Sequence, residues 1–81
     1  MYSVEIEEIA EKFLKKLNQK DRNIILKKIY SIRQNPFRFL KRLQGKKLWR
    51  LRISKYRVLV DVVISGRRIV VLKIGYRKNI Y

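Results

Sequence analysis

Three arginines lie close together in the segment LWRLRISKYRVLV, residues 48–60, and no acidic residue accompanies them. They are Arg50, Arg52 and Arg57, and each carries a planar guanidinium group that stays charged throughout the pH range in which proteins fold. Such groups bind phosphate through pairs of parallel hydrogen bonds. The segment therefore predicts a site for a phosphate-bearing or otherwise anionic partner.

The same segment has the pattern of a β-hairpin, with residues 54–55 as a two-residue turn. That turn sets Arg52 opposite Arg57 and Arg50 opposite Leu59, so the three guanidinium groups share one face of the sheet. Like charges directly opposite each other destabilise a strand pair unless an anion lies between them. The other face is apolar, and we expect the helices to pack on it. It consists of Trp49, Leu51, Ile53, Tyr56, Val58, Val60 and Val62.

The chain contains no cysteine and no histidine. Disulfide bonds, thiolate metal sites and cysteine nucleophiles are therefore excluded, and the commonest general base is missing. Any acid–base chemistry must use Tyr, Lys, Arg or the few carboxylates. We expect neither a metal ion nor an organic cofactor.

Basic residues dominate the composition, with 22 Lys and Arg against 6 Asp and Glu and a formal net charge of +16. Only Asp21 and Asp61 follow Glu11, so the acidic residues concentrate at the start of the chain. An excess of this size indicates a polyanionic partner, either nucleic acid or the ribosome. An acidic protein or a membrane surface is the alternative.

The length and the absence of long apolar runs bound the organisation of the chain. Eighty-one residues make a single domain, residues 1–81, and no apolar run approaches the length that spans a bilayer. The N-terminal segment MYSVEIEEIAEKF lacks the pattern of a signal peptide, and the absence of cysteine fits a reducing compartment. We therefore expect a cytoplasmic protein.

The first half of the chain has the period of α-helices. Apolar residues predict one helix over about residues 7–17 and a second from near Asn18, a candidate N-cap, to Asn35-Pro36. Residues 2–6 alternate, which suits either a short strand or the first turn of the first helix. The segment PFRFLKRLQG predicts a further helical turn, with Gly45 after it, that packs Phe37, Phe39, Leu40 or Leu43.

The second half of the chain changes to a period of two. Three strands are predicted over about residues 47–53, 56–64 and 67–74, joined by two-residue turns at 54–55 and 65–66. The predicted fold is α+β, with an N-terminal short strand and a helical hairpin packed on a C-terminal antiparallel meander.

The hairpin LRISKYRVLV and the ending LKIGYRKNIY together resemble the RelE family of the RelE/ParE toxin superfamily. Members often show Leu-Arg-Ile-x-x-Tyr-Arg-Val and, later, Gly-His-Arg with a tyrosine a few residues beyond. The resemblance covers nearly the whole chain, because EKFLKKL and NPFRFLKRLQGKKLWRLRI fall where the family places its helical hairpin and first core strand. It implies a RelE-like fold and the toxin of a type II toxin–antitoxin system.

The resemblance also implies roles for particular residues. The implied catalytic positions are Arg50, Arg52, Arg57, Arg77 and Tyr81. The implied RNA-binding positions are Lys46, Lys47, Lys55, Tyr76 and Lys78. Tyr76 stands where many relatives have histidine, so the identity of the general acid and base stays open. Tyr81 is the candidate base, because surrounding cations favour its phenolate.

The function implied is ribosome-dependent cleavage of mRNA by attack of the substrate's own 2′-hydroxyl, which inhibits translation. The partners implied are mRNA, the ribosome and an acidic RelB-like antitoxin in a hetero-oligomer. ParE-type members instead inhibit DNA gyrase, but they generally lack the terminal tyrosine and much of the basic cluster. A non-catalytic basic RNA-binding or ribosome-binding protein and a degenerate toxin are further alternatives.

Overall fold

The computed structural model describes residues 1–78, so the predicted site residue Tyr81 lies outside the described residues. Within that range, five strands form one sheet in the order β1-β5-β4-β3-β2 and two α-helices pack against it, which confirms the predicted α+β class. The elements are β1 (Ser3–Ile6), α1 (Glu8–Lys16), α2 (Gln19–Ser31), a 3₁₀ turn (Pro36–Arg38), β2 (Lys41–Arg42), β3 (Trp49–Ile53), β4 (Tyr56–Val63) and β5 (Arg68–Tyr76).

The helical hairpin is held at the junction of α1 and α2. Asn18 caps α2, since its Oδ1 accepts a hydrogen bond from the backbone N–H of Asp21 at 2.8 Å, as predicted. From α2, Arg22 reaches back and donates to the carbonyl oxygens of Leu14 and Leu17, at 3.1 and 2.8 Å, which satisfies the end of α1. No helix in residues 1–78 combines the length and apolar character that a membrane crossing requires.

The second helix ends earlier than predicted, at Ser31 rather than at Asn35-Pro36. Its last turn tightens, because the N–H of Ile32 bonds to the carbonyl of Ile29. The carbonyl of Arg33, two residues beyond the end of α2, accepts the N–H of Tyr2 at 3.0 Å. The start of the chain is therefore tied to the segment that follows α2.

Of the two alternatives for residues 2–6, the short strand is correct. Strand β1 pairs in parallel with β5, with Val4 beside Ile69 and Ile6 beside Val71. Its alternate residues are exposed, and Glu5 forms an ion pair with Arg68 at 2.7 Å. The alternation read from the sequence therefore reflects a strand with one buried face.

The predicted three-stranded meander is extended at its other edge by β2, which the sequence did not predict. Lys41 pairs with Arg50 and Arg42 pairs with Trp49. The predicted helical turn before it exists as the 3₁₀ turn, whose flanking Leu40 is buried while Phe37 and Phe39 are exposed. Strand β2 has two polar residues, too few to show an alternation.

The predicted register of β3 and β4 is confirmed, with Arg52 opposite Arg57 and Arg50 opposite Leu59. The turn between them has Ser54 at φ 54°, as a tight hairpin turn requires. The other predicted turn is also found, since residues 65–66 are the centre of a β-turn in which the N–H of Arg67 donates to the carbonyl of Ile64 at 3.1 Å. The strands end one residue short of it on each side, at Val63 and Arg68.

The core lies between the helices and one face of the sheet. Its sheet side is the predicted apolar face, in which Trp49 and Val62 are half-buried and the other residues are buried. The helices contribute their own apolar stripes. Half-buried residues cover the opposite face beyond the arginines: Leu59, Val63, Val70 and Leu72.

Adjacent isoleucines on α2 provide a test of this packing. Ile25 is 0% exposed and Ile24 is 42% exposed. We expect Ile25→Ala to lower the free energy of unfolding by about 2–5 kcal/mol, because it leaves a cavity in the core. The matched change Ile24→Ala should lower it by less than about 1 kcal/mol. Urea denaturation of both variants measures this, and equal losses would contradict the helix orientation.

Candidate functional site

Four cationic side chains occupy one face of the sheet where β2, β3 and β4 meet. Arg52 lies directly opposite Arg57, and Lys41 lies directly opposite Arg50. Cross-strand partners share a face, and residues two apart on one strand also share it. The prediction that the three arginines share one face is therefore confirmed, and Lys41 joins them through a strand that the sequence did not predict.

Two small hollows open between these side chains. One, of about 170 Å³, is lined by Phe39, Lys41, Arg50 and Arg52. Another, of about 170 Å³, is lined by Leu43, Lys46, Leu48, Arg50, Arg57, Val58 and Leu59. Arg50 lines both, so the two hollows are neighbours and are treated together as one cationic region. We call it the arginine groove, defined by Lys41, Lys46, Arg50, Arg52 and Arg57.

Arg57 is the most buried of the arginines, at 9% exposure, and its Nε atom is buried. Across the sheet its partner on β5 is Gly75, which has no side chain to cover it. A charge withdrawn from water acts more strongly on a nearby anion than an exposed charge does, because the local dielectric constant is lower. Arg57 is therefore suited to charge stabilisation.

A second depression, which we call the tail pocket, opens at the end of β5. It has a volume of about 580 Å³ and is lined by Lys55, Arg57, Tyr76, Arg77 and Lys78. The N–H of Arg77 donates to the carbonyl of Lys55 at 3.0 Å, which ties the end of β5 to the β3–β4 turn. Since Arg57 lines both, the tail pocket and the arginine groove meet there.

An aromatic cluster supports the tail pocket from the core side. The rings of Phe13 and Tyr76 meet edge to face, with centroids 5.7 Å apart, and Tyr56 lies 5.3 Å from Tyr76 at an interplanar angle of 33°. Phe13 also meets Tyr56 edge to face at 6.1 Å. Offset and edge-to-face pairs of this kind are mutually stabilising. Tyr76 nevertheless remains 41% exposed.

Asp21 anchors this cluster to the start of α2. Its Oδ2 accepts a hydrogen bond from the Tyr56 hydroxyl at 2.5 Å and lies 3.8 Å from Lys55 Nζ. The hydrogen bond to Asp21, followed by burial of the phenol and the negative charge of the carboxylate, raises the pKa of Tyr56 to about 12. The phenol is therefore a hydrogen-bond donor at neutral pH and not a base.

Most of the predicted site residues fall into these two depressions. Arg50, Arg52 and Lys46 line the arginine groove, and Arg57 lines both. Lys55, Tyr76, Arg77 and Lys78 line the tail pocket. Lys47 is exposed in the loop before β3 and is not among the residues that line either depression. The roles of all these residues remain predictions.

Sequence reasoning missed three residues that shape the site: Phe13, Asp21 and Tyr56. They lie within the predicted first helix, near the start of the predicted second helix and on the predicted apolar face of the sheet. The single available signal was the rarity of Asp21, one of two acidic residues after Glu11. Its contact with Tyr56 spans 35 residues, a separation that no local pattern specifies.

Comparison with known proteins identifies the class. A family model described as "ParE toxin of type II toxin-antitoxin system, parDE" matches residues 4–81. The fold and the match together define a type II toxin of the RelE/ParE superfamily. The chain belongs to the ParE toxin family of type II toxin–antitoxin systems. No curated protein sequence matches it.

Solved structures of RelE toxins have the same fold. A chain of the RelBE2 toxin–antitoxin complex from Mycobacterium tuberculosis is 22% identical, with TM-score 0.84 and coverage of 94% of this chain and 98% of that one. A chain of the archaeal RelE-RelB complex from Pyrococcus horikoshii is 26% identical, with TM-score 0.82 and coverage of 96% and 97%. The isolated E. coli RelE toxin is 25% identical, with TM-score 0.80 and coverage of 94% and 84%.

The bond between Tyr56 and Asp21 predicts a pH-dependent loss of stability. Because folding raises the pKa of Tyr56 from 10.0 to about 12, its stabilisation is complete below pH 10.0 and is lost as the pH rises to about 12. We expect Tyr56→Phe to lower the free energy of unfolding by about 1–3 kcal/mol at pH 7, with the difference from the unmodified protein shrinking over that window.

Urea denaturation at a series of pH values measures this difference. Tyr30, an exposed tyrosine on α2, provides the control, and Tyr30→Phe should change little at any pH. A difference for Tyr56→Phe that stays constant from pH 9 to pH 12 would contradict the assignment.

Proposed function

We propose that this toxin is a ribosome-dependent mRNA endoribonuclease that inhibits translation in the cytoplasm. The observation that carries the proposal is the arginine groove: Lys41 and three arginines share one face of the sheet, and Lys46 adds a positive charge from the loop before β3. A groove of this kind suits the phosphodiester backbone of a single RNA strand. The net charge of +16 favours a partner as large and as anionic as the ribosome.

The reaction that fits these residues needs no external nucleophile. The 2′-hydroxyl of the substrate attacks the adjacent phosphorus, loses its proton to a base, and displaces the 5′-oxygen of the next nucleotide, which takes up a proton. The products are a 2′,3′-cyclic phosphate and a free 5′-hydroxyl. Since negative charge on the phosphoryl oxygens grows at the transition state, preorganised cations lower the barrier.

Within this scheme Arg50, Arg52 and Arg57 stabilise the phosphorane. Arg77 stabilises the leaving 5′-oxygen, either directly or through water. Tyr81 is the proposed base, because cations favour the phenolate form of a tyrosine. Tyr56 is not a rival, since its hydroxyl is donated to Asp21 and the pKa of its phenol is raised to about 12.

Dependence on the ribosome follows from the weakness of the acid–base groups. The chain has no histidine, and arginine exchanges protons poorly because its guanidinium group stays protonated in proteins. Correct placement of the reacting atoms must then supply much of the rate. A ribosome that fixes the message in its decoding site can supply that placement, with surface lysines bound to ribosomal RNA phosphates.

The proposed partner between rounds of activity is an acidic antitoxin. The related Mycobacterium tuberculosis and Pyrococcus horikoshii structures are described as toxin–antitoxin and RelE-RelB complexes. On this chain an acidic segment would neutralise the arginine groove, while apolar side chains would cover the half-buried outer face of the sheet beyond it. Such a partner would block the RNA site directly.

Gyrase inhibition is the second candidate, favoured by the ParE description of the matching family model. The two functions leave different products. The ribonuclease leaves cut messages with cyclic phosphate ends, whereas a gyrase inhibitor leaves messages intact and traps double-strand DNA breaks. A basic ribosome-binding protein without catalysis would slow translation and leave neither product.

Substitution in the groove tests the ribonuclease. We expect Arg57→Ala to reduce message cleavage in a translating extract by about 100- to 1000-fold, the usual effect of losing one electrostatic group at a transition state. Tyr81→Phe should also reduce cleavage strongly. Primer extension maps the cut sites, and the ends are assayed for cyclic phosphate.

Arg67→Asn provides the matched control, because it removes one positive charge in the loop at the far end of the β4–β5 hairpin, where asparagine tolerates φ 50°. It should cleave like the unmodified protein. Equal cleavage by all variants would remove these residues from catalysis. DNA breaks with purified gyrase, without message cleavage, would replace the proposal with the second candidate.

A further inference from the structure

We infer that Tyr76 is a stacking platform for one nucleobase of single-stranded RNA, and that Phe13, Tyr56 and Asp21 fix its orientation. The inference rests on the proposed function for the identity of the ligand as RNA, but it does not depend on cleavage. It assigns the tail pocket to recognition of a base and leaves the chemistry of the phosphate to the arginine groove.

The first argument is the combination of support and exposure at Tyr76. Its register partner across the sheet is Tyr56, on the face that packs against the helices. Although Phe13 and Tyr56 both contact the ring, 41% of Tyr76 stays exposed, and it lines the tail pocket. A ring held on one side and open on the other can accept a flat partner with little further loss of entropy.

The second argument is the chemistry of the tail pocket. Around the ring of Tyr76 it is lined by cationic residues: Lys55, Arg57, Arg77 and Lys78. An aromatic ring surrounded by positive charge matches a nucleotide, which joins a flat base to an anionic phosphate. An apolar peptide would satisfy the ring but would bury the charges without partners.

The third argument is the chain of contacts behind the ring. The Tyr56 hydroxyl donates to Asp21, and Asp21 stands at the capped start of α2, so the ring beside Tyr76 is fixed to a helix. Lys55 Nζ lies 3.8 Å from the same carboxylate and offsets its charge. The carboxylate of Asp21 therefore acts as an anchor and repels an incoming phosphate only weakly.

The position of Arg57 connects the platform to the proposed reaction. Because Arg57 lines both depressions, a nucleotide whose base stacks on Tyr76 has its phosphate near the junction with the arginine groove. Tyr76 then contacts the base next to the scissile bond. At that position Tyr76 favours bases that stack strongly, so it prefers purines to pyrimidines.

Binding of a non-cleavable RNA tests the inference. The probe is a short 2′-O-methyl oligonucleotide with a single 2-aminopurine, whose fluorescence falls when the base stacks. We expect quenching with the unmodified protein and with Tyr76→Phe, which keeps the ring. Tyr76→Leu should lose the quenching and bind about 5- to 100-fold more weakly, as expected for one lost base–aromatic stack.

Tyr30→Leu is the matched control, since Tyr30 is 43% exposed on α2 and lies in neither depression. It should bind and quench like the unmodified protein. The salt dependence separates stacking from charge: Tyr76→Leu should leave the slope of log affinity against log salt unchanged, whereas Arg77→Ala should reduce it by about 0.7. An abasic oligomer of equal length should bind all tyrosine variants alike.

Tyr56→Phe tests the support, because it removes the bond to Asp21 and keeps the ring. Tyr56→Phe alone should reduce the quenching. In a double variant with Tyr76→Leu, it should cause no loss of quenching beyond that of Tyr76→Leu alone. The inference would be overturned if Tyr76→Leu quenched the probe as much as the unmodified protein does. It would also be overturned if these two proteins bound the abasic oligomer with different affinities. Since the probe cannot be cleaved, its binding is measured independently of cleavage. An absence of message cleavage would therefore contradict only the proposed function.

Discussion

The pair of arginines at Arg52 and Arg57 is the constraint around which the rest of the structure is organised. Two positive side chains sit directly opposite each other on adjacent strands, an arrangement that weakens strand pairing. The sheet tolerates it because the reverse side of the same strands carries Leu51 and Val58, both buried against the helices. Apolar burial, worth about 25 cal/mol per Å², holds the hairpin in a register that its charges alone would oppose.

The sheet has one face for the core and one face for the arginines. This division explains why the helices affect a site that they do not line. Helix α1 supplies Phe13 and the start of α2 supplies Asp21, and both contact aromatic rings at the end of the sheet nearest the tail pocket. The short bond between Asp21 and Tyr56 is stronger than a neutral pair, since its acceptor is charged. It couples the helical layer to the position of the strand ends, so geometry at the tail pocket depends on docking of the helices.

The sequence was sufficient for the features that follow from local period. Alternation in residues 47–64 predicted the β3–β4 register, because a tight turn and a one-sided apolar face leave one pairing. It was insufficient where structure depends on distant contacts. Strand β2 forms by pairing of Lys41 and Arg42 with β3, and the N–H of Tyr2 bonds to the carbonyl of Arg33 just beyond α2. The contact of Asp21 with Tyr56 joins residues that are 35 positions apart.

The candidate site also has a part that the local sequence pattern predicts and a part that depends on distant contacts. Convergence of the arginines could be predicted, since each guanidinium lies on a strand whose register the turn fixes. The support behind Tyr76 could not, because a tyrosine in a β-pattern has the same appearance whether its ring is buried or left open. A scaffold of this kind can carry sites of different function, because the core fixes the strands while the exposed ends of those strands are free to change. In this chain those ends carry arginines and a tyrosine held by its neighbours. The proposed reaction uses both: positive charge to stabilise the phosphorane and a flat surface to orient the base beside it.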